Sequence, residues 1–372
     1  MKCVLLGGSN SVLRNSIRLG LEENFEVTNY ALGATTFIQN MMELVRNKEV
    51  IDATDFIITE SNVNDTLSLS SLNISKEWFL YLLDEYYRLL FNTKKYVICV
   101  ILPTNPKQEK KDDLIFINEL HKTLCSKYGF EYIHFDDIMP QLNSEQIDLL
   151  LPQPRHFNEA YIYHMSLNLS NYIKSKPLPL TDDRKFILSG PDYYYLKSSD
   201  MVGSSAPELK SNHSFSAEVI NIKTPVKFPS EFNGKILLAV SIWCDGYSSL
   251  VIGDQSIKTI KNFSHLYTCA ELIKQITITT ETTVSLNNEN SPPTEKTVLA
   301  NYDKNEKIND MKLEGFLLCN YQNHTVSNVE YIKKEMLDIS KIVMPNWRPF
   351  AAALKSFIEQ NNYLSSKSRI SC

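Results

Sequence analysis

The chain has 372 residues, of which 43% are hydrophobic and 22% charged, and a formal net charge of −5. That length suits two domains better than one, the composition is that of an ordinary globular protein, and the acidic balance supplies no basic face for a nucleic acid. Seven cysteines without a CxxC pair, a first strand that leaves no room for a signal peptide, and no run of 18 apolar residues predict a cytoplasmic protein without a membrane span.

The first strand is predicted at Cys3–Leu6. It runs into Gly7-Gly8-Ser9-Asn10-Ser11, after which a helical pattern starts. Further strand-like runs follow at Phe25–Tyr30, Asp55–Thr59, Tyr96–Leu102 and Phe130–Phe135. Between and after them, apolar residues recur on one helical face, as in Phe37, Ile38, Met41, Met42 and Val45, or Tyr161, Ile162, Met165, Leu169 and Ile173. Such stripes are core-packing faces. Strand and helix alternating in this way predict a mostly parallel sheet covered on both faces, with sites beyond the carboxyl ends of its strands.

Lys176–Arg184, with two prolines and a charge cluster, reads as a boundary. After it the period changes. Ser214–Ile222, Lys235–Trp243, Ser249–Ile252, Gln275–Thr280, Thr283–Leu286 and Lys312–Leu318 read as short strands of an antiparallel β-sandwich. Two closing helices are expected near Val329–Leu337 and Trp347–Tyr363, with Pro349 in the first turn of the last. The predicted division is an α/β domain at 1–178, a connector at 179–204, the sandwich at 205–325 and a helical segment at 326–372.

The glycines after the first strand do not make a phosphate loop. Neither GxGxxG nor GxxxxGK[ST] is present. A serine in that turn instead lies at the carboxyl edge of the sheet, beside the free N–H groups that begin a helix. The second strand leads to Gly33, whose N–H is a candidate donor at the same edge. The third leads to Asn62-Val63-Asn64-Asp65, where Asn64 offers a side-chain amide. After the fifth comes Gln153-Pro-Arg-His156. A serine, two further oxyanion donors and a late histidine form a constellation for acyl transfer. Taken singly, Ser9 is a turn residue, Asn64 an Asx-turn residue and Asp65 a helix-start carboxylate. Ser11 is a weaker nucleophile candidate and is expected to help start the helix. His121, His134 and His164 lie within helix or strand patterns and read as structural.

In order and spacing these four blocks resemble the SGNH (GDSL-like) hydrolase superfamily, over about 175 residues. Gly7-Gly8-Ser9 departs from Gly-Asp-Ser at Gly8, Asn62-Val63-Asn64-Asp65 departs from Gly-x-Asn-Asp at Asn62, and Gln153-Pro-Arg-His156 departs from Asp-x-x-His at Gln153. The resemblance implies a flavodoxin-like three-layer α/β/α sandwich with a five-stranded parallel sheet. It implies Ser9 as nucleophile, His156 as general base and acid, and an oxyanion hole made by Ser9, Gly33 and Asn64, with no metal. Gln153 can orient an imidazole but cannot stabilise an imidazolium as a carboxylate does. Asp148, Glu159 or a main-chain carbonyl are the alternatives for orienting His156. The family includes carbohydrate esterases and polysaccharide O-acetyltransferases. The expected function is therefore O-acetyl transfer on a surface or capsule polysaccharide, with acetyl-CoA as a candidate donor and no bound cofactor, or the matching esterase. The other reading is a catalytically silent scaffold that binds a glycan or protein. The sandwich is expected to contact carbohydrate or to support a homo-oligomer, with Trp243 and Tyr247 as candidate stacking residues or core aromatics. Tyr193-Tyr194-Tyr195 is expected either to pack the domains together or to line a groove.

Overall fold

The computed structural model describes residues 1–13, 15–105, 111–178, 187–212, 215–264, 267–298, 311–321, 337–353 and 355–356. The predicted apolar runs become β1 (Lys2–Leu6), β2 (Glu26–Asn29), β3 (Phe56–Thr59), β4 (Tyr96–Val100) and β5 (Glu131–Ile133). They form one parallel sheet in the order β2-β1-β3-β4-β5. β3 and β4 are buried along their whole length, which is why they read as continuous apolar runs rather than alternating ones.

The helices are α1 (Ser9–Val12), α2 (Ile17–Glu22), α3 (Phe37–Arg46), α4 (Lys48–Ala53), α5 (Asn62–Ser71), α6 (Lys76–Asn92), α7 (Lys111–Tyr128), α8 (Ser144–Leu150) and α9 (Glu159–Lys174). Several of their starts are written locally. Thr36 accepts from Ile38 N–H at α3, Ser75 from Trp78 N–H at α6, and Asn143 with Gln146 closes a capping box at α8. Helical side chains cover both faces of the sheet. Met41, Phe79, Leu83 and Tyr87 pack with Ile57 and Val97 in one core, and Phe157, Tyr161 and Leu169 pack with Ile58 and Ile98 in the other. This is the flavodoxin-like three-layer arrangement. Its strand order reverses between β1 and β3, and the crevice at that reversal is where such sheets place a site.

The β-rich part contains β6 (Tyr193–Lys197), β7 (Glu208–Ser211), β8 (Ser216–Asn221), β9 (Val226–Lys227), β10 (Ile236–Cys244), β11 (Ser248–Gly253), β12 (Lys258–Phe263), β13 (Tyr267–Thr277), β14 (Thr283–Leu286) and β15 (Met311–Cys319). One antiparallel sheet runs β13-β10-β15-β8-β7, with β6 also on β15, and a second runs β12-β11-β14-β9. Val240, Ile242, Phe316 and Leu318 of the first sheet meet Leu250, Ile252 and Val284 of the second in a separate core.

One assignment and one omission are corrected here, and for Trp243 and Tyr247 the core reading holds over the stacking one. The tyrosine triplet assigned to the connector is a sandwich strand, β6, and Tyr193 and Tyr195 pack against the core shared by the two domains. β12 went unread because its inward face carries a lysine. Lys261 is buried, and its Nζ lies 3.1 Å from Glu295 Oε2. Trp243 and Tyr247 are only 2% and 8% exposed, so neither offers a surface for stacking a sugar.

The sandwich docks on α3, α5 and α6. Arg46 on α3 reaches Glu314 Oε1 of β15 at 2.6 Å and also holds Glu43. Ser68 donates to Glu271 Oε1 at 2.5 Å, and Arg88 donates to the carbonyls of Leu188 and Pro191. The chain then returns to the α/β domain. Tyr132 N–H donates to Leu337 O, and Ile339 N–H to Tyr132 O, covering the exposed edge of β5 before α10 (Ser340–Val343). The helix expected at Val329–Leu337 lies, apart from Leu337, outside the described residues, as do residues 179–186 of the connector. The helix expected at Trp347–Tyr363 is present over 347–353, and positions from 357 onward are likewise outside.

Candidate active site

The turn Gly7–Ser11 ends β1 at the crevice between β1 and β3. Ser9 opens α1, so its N–H is among those a helix leaves without an intrahelical acceptor. Its Oγ lies 2.8 Å from His156 Nε2, across 147 residues of chain. His156 Nδ1 lies 2.5 Å from Gln153 Oε1. Because Oε1 can only accept, Nδ1 carries the proton and Nε2 is left to accept from the Ser9 hydroxyl.

Backbone contacts hold the histidine in place. Asn10 is buried and donates through Nδ2 to Arg155 O (3.0 Å), while its Oδ1 accepts from Phe157 N–H (3.1 Å). One amide thus brackets His156 on both sides. Asn105 N–H donates to Pro154 O, and Asn158 caps α9 directly after the site. Burial, then the nearby Arg155 charge, lowers the pKa of His156 from its ordinary value. The imidazole is therefore neutral at pH 7 and able to take a proton. Neither substitute acid orients it. Asp148 is exposed on α8, Glu159 Oε2 accepts from Asn15, and the Nδ1 partner is the Gln153 side chain rather than a main-chain carbonyl.

The predicted oxyanion donors converge on the same turn. Leu32 N–H donates to Gly7 O, extending the pairing of β1 and β2 and bringing Gly33 alongside. A Cβ on Gly33 would stand 3.8 Å from Ser9 Cβ, so the glycine faces Ser9. Asn64 is buried and presses so close that a Cβ on Gly8 would collide with its Nδ2. Nδ2 donates one hydrogen to Thr35 O at 2.8 Å and has a second to give. Ala34, next to Gly33, holds φ at +60°, a left-handed conformation that costs a non-glycine residue about 1–2 kcal/mol. Ala34→Gly is expected to raise unfolding stability by about 1 kcal/mol, read as a higher urea midpoint with an unchanged slope.

Several polar residues were not legible as part of the site. Asn62 fills the place of the motif glycine, and its amide brackets Leu102 by donating to Leu102 O (2.6 Å) and accepting from Leu102 N–H (3.0 Å). Glu60, just after β3, is 2% exposed and accepts from Gly8 N–H and Ser11 Oγ. Ser11 is therefore fully buried on that carboxyl; it lies inside α1 without capping it, and its hydroxyl donates to Glu60. Asp65 is structural. Its oxygens accept from Phe37 N–H and the Ser61 hydroxyl, and one of them meets His121 Nε2 at 3.1 Å. His134 pairs with Asp338 and ties down the returning C-terminal segment, while His164 is exposed on α9.

Beside His156 a cleft of ≈ 660 Å³ opens between Leu13, Leu19, Pro152, Ala160 and Tyr163. Among the described residues no group of three His, Cys, Asp or Glu could hold a metal ion, and no helix is long and apolar enough to cross a membrane. The N-terminal half resembles SGNH and GDSL-type hydrolases. A lipase/acylhydrolase from Enterococcus faecalis is similar at 18% identity over 48% of this chain and 98% of its own, with a TM-score of 0.39. A GDSL-like lipase from Bacteroides thetaiotaomicron is similar at 16% identity over 47% and 88%, with a TM-score of 0.36. An acetylxylan esterase from Geobacillus stearothermophilus is similar at 15% identity over 47% and 92%, also with a TM-score of 0.36. No protein-family model and no curated protein matches the chain.

Proposed function

We propose that this protein is an SGNH-type serine acyl-transfer enzyme acting on an O-acyl ester of a carbohydrate, through a Ser9–His156 pair oriented by Gln153. The observation that carries the reading is the contact of Ser9 Oγ with the unprotonated face of His156, at the β1/β3 crevice and beside two candidate oxyanion donors. Ser9 Oγ attacks the acyl carbonyl as its proton passes to Nε2. The carbonyl oxygen is held by Ser9 N–H, Gly33 N–H and the Asn64 amide. The tetrahedral adduct expels the alcohol, which takes the proton from His156. Water or a sugar hydroxyl then accepts the acyl group by the same steps in reverse. A carbohydrate substrate is the part of this reading that rests on resemblance.

One observation favours a second reading. Gln153 stands where a carboxylate would stabilise the imidazolium, as a catalytically silent scaffold that binds a glycan or protein could tolerate. p-Nitrophenyl acetate separates the two. The expected result is a burst of nitrophenol and a gain of one acetyl group in intact mass, both lost in Ser9→Ala. Turnover by water alone makes the enzyme an esterase. Acetyl gained by an added glycan, with p-nitrophenyl acetate or acetyl-CoA as donor, makes it a transferase. No burst, and none in Gln153→Glu, supports the scaffold.

A further inference from the structure

Glu60 is the buried ionisable group closest to the nucleophile that the proposed chemistry leaves unused. Its own backbone is fixed on both sides. Glu60 N–H donates to Leu6 O in the β1/β3 ladder at 2.9 Å, and its carbonyl accepts from Asn40 Nδ2 at 3.3 Å. Its side chain turns under the turn that carries Ser9, where Oε2 accepts Gly8 N–H at 2.9 Å and the Ser11 hydroxyl at 3.2 Å. These two donors lie one residue before and two after Ser9, so the carboxyl fixes the turn on both sides of the nucleophile. A Cβ on Gly7 would stand 3.1 Å from Oε2, and one on Gly8 would stand 3.6 Å from Oε1 and collide with the Asn64 amide. A Cβ on Gly7 would also collide with Ser11 Oγ, so the two glycines are what let Ser11, the carboxyl and the Asn64 amide, the last two both from the β3–α5 segment, close on the turn. Oε1 is buried without a hydrogen-bond partner among the described residues, so both ties of the carboxyl to the turn run through Oε2.

We propose that Glu60 is a positioning residue for the nucleophile: its carboxylate holds Gly8 N–H and the Ser11 hydroxyl so that Ser9 stays in line with His156 and beside the Asn64 amide. The inference rests on the acyl-transfer reading of Ser9. Both donors bind a carboxylate more strongly than a neutral acid or amide, because charge-assisted hydrogen bonds are about twice as strong. Burial pushes the Glu60 carboxyl up to about 7, against the hydrogen bonds from Gly8 and Ser11, and the Asp65 carboxylate on α5 adds to the rise. The facing residues of the turn, Gly7, Gly8 and Ser11, and Asn40 on α3 carry no ionisable group. The productive, ionised form is thus gained as pH rises through neutrality, separately from the loss of the proton on His156.

The test compares wild type, Glu60→Gln and Glu60→Ala in acyl-enzyme formation from p-nitrophenyl acetate, and follows the Gly8 amide by ¹H–¹⁵N NMR across pH 5–9. In wild type log kcat is expected to show two ionisations on its acid side, a step of about one log unit near pH 7 for Glu60 and, below it, a limb of slope 1 for His156. Glu60→Gln is expected to abolish that step, leaving the slope-1 limb alone, and to lower kcat about 10-fold with KM unchanged, as a neutral acceptor replaces a charged one. Glu60→Ala is expected to lose about 100-fold, because Gly8 N–H and the Ser11 hydroxyl then lose their shared acceptor and the turn can shift. The Gly8 resonance should titrate near pH 7 in wild type and not in Glu60→Gln. A wild-type kcat profile kept by Glu60→Gln, or equal losses in a folded Glu60→Ala and Glu60→Gln, overturns the proposal. If wild type forms no acyl-enzyme, the acyl-transfer reading has failed. The Gly8 titration then decides whether the carboxylate holds the turn, and a resonance that does not titrate, or that titrates equally in Glu60→Gln, overturns that claim too.

Discussion

Gln153→Glu is expected to raise kcat for acyl-enzyme formation about 10-fold. Glutamate has the length of glutamine, so a carboxylate oxygen takes the place of Oε1, 2.5 Å from His156 Nδ1, without moving the turn. An Asp at this position, as in the Asp-x-x-His block that Gln153–His156 resembles, would fall one methylene short. Replacing the triad carboxylate by an amide in the serine-protease template costs about 10⁴, but that loss includes an imidazole held in the wrong tautomer. Here Gln153 already presents its carbonyl oxygen and the tautomer is right. What remains to be gained is the difference between a neutral and a charge-assisted hydrogen bond to the imidazolium, about 1–1.5 kcal/mol. The pH profile carries the same information with a definite sign. His156 now lies below its ordinary pKa, first through burial and then through Arg155. A carboxylate at 153 favours the protonated ring and raises that pKa, so the acid limb of kcat/KM should move to higher pH. Steady-state kinetics on both proteins across pH 5–9 check both effects. A rise in kcat without that displacement would mean that the new carboxylate acts on something other than His156.

Much of the fold was readable because it depends on periodicity. β1, β3 and β4 are apolar runs buried on both faces, and the helical stripes are the faces now in the core. The strands that escaped reading include β7 and β9, of four and two residues, most of β13, whose stretch before Gln275 went unread, and two with a plain local reason. β12 buries Lys261 against Glu295, and β6 begins Tyr-Tyr-Tyr. At the site, Ser9, Gly33, Asn64 and His156 were legible because each stands at a strand or helix end and forms part of an ordered set. Asn62 and Glu60 were not, because their meaning lies in backbone groups they reach only after folding. The two departures at Gly8 and Asn62 make sense only in three dimensions. Gly8 leaves room for the Asn64 amide, and Asn62 brackets the backbone of Leu102.

Asn10 is the sharpest case of such hidden meaning, and its removal should slow the chemistry with little effect on binding. Nothing in GGSNS marks it, since both of its partners are main-chain atoms some 145 residues away. Yet it follows Ser9 directly, so one dipeptide fixes both ends of the proposed catalytic pair: Ser9 touches the imidazole while Asn10 holds the peptides on either side of it. Asn10→Ala leaves Arg155 O and the buried Phe157 N–H without these partners, at a cost of about 1–3 kcal/mol for a buried unsatisfied group. The 153–156 turn then relaxes, and a displacement of about 1 Å in a reacting group costs on the order of 100-fold in rate. kcat is therefore expected to fall about 100-fold while KM stays within about 3-fold, because only the turn side of the cleft shifts and the walls from Leu13, Leu19, Ala160 and Tyr163 stay in place. The burst should keep its full amplitude but develop more slowly, since Ser9 itself is untouched. Thermal melting run alongside separates this from loss of folded protein. A lowered Tm with an unaltered kcat would make Asn10 a structural tie and leave the Gln153 contact and the Asn158 cap to hold the histidine by themselves.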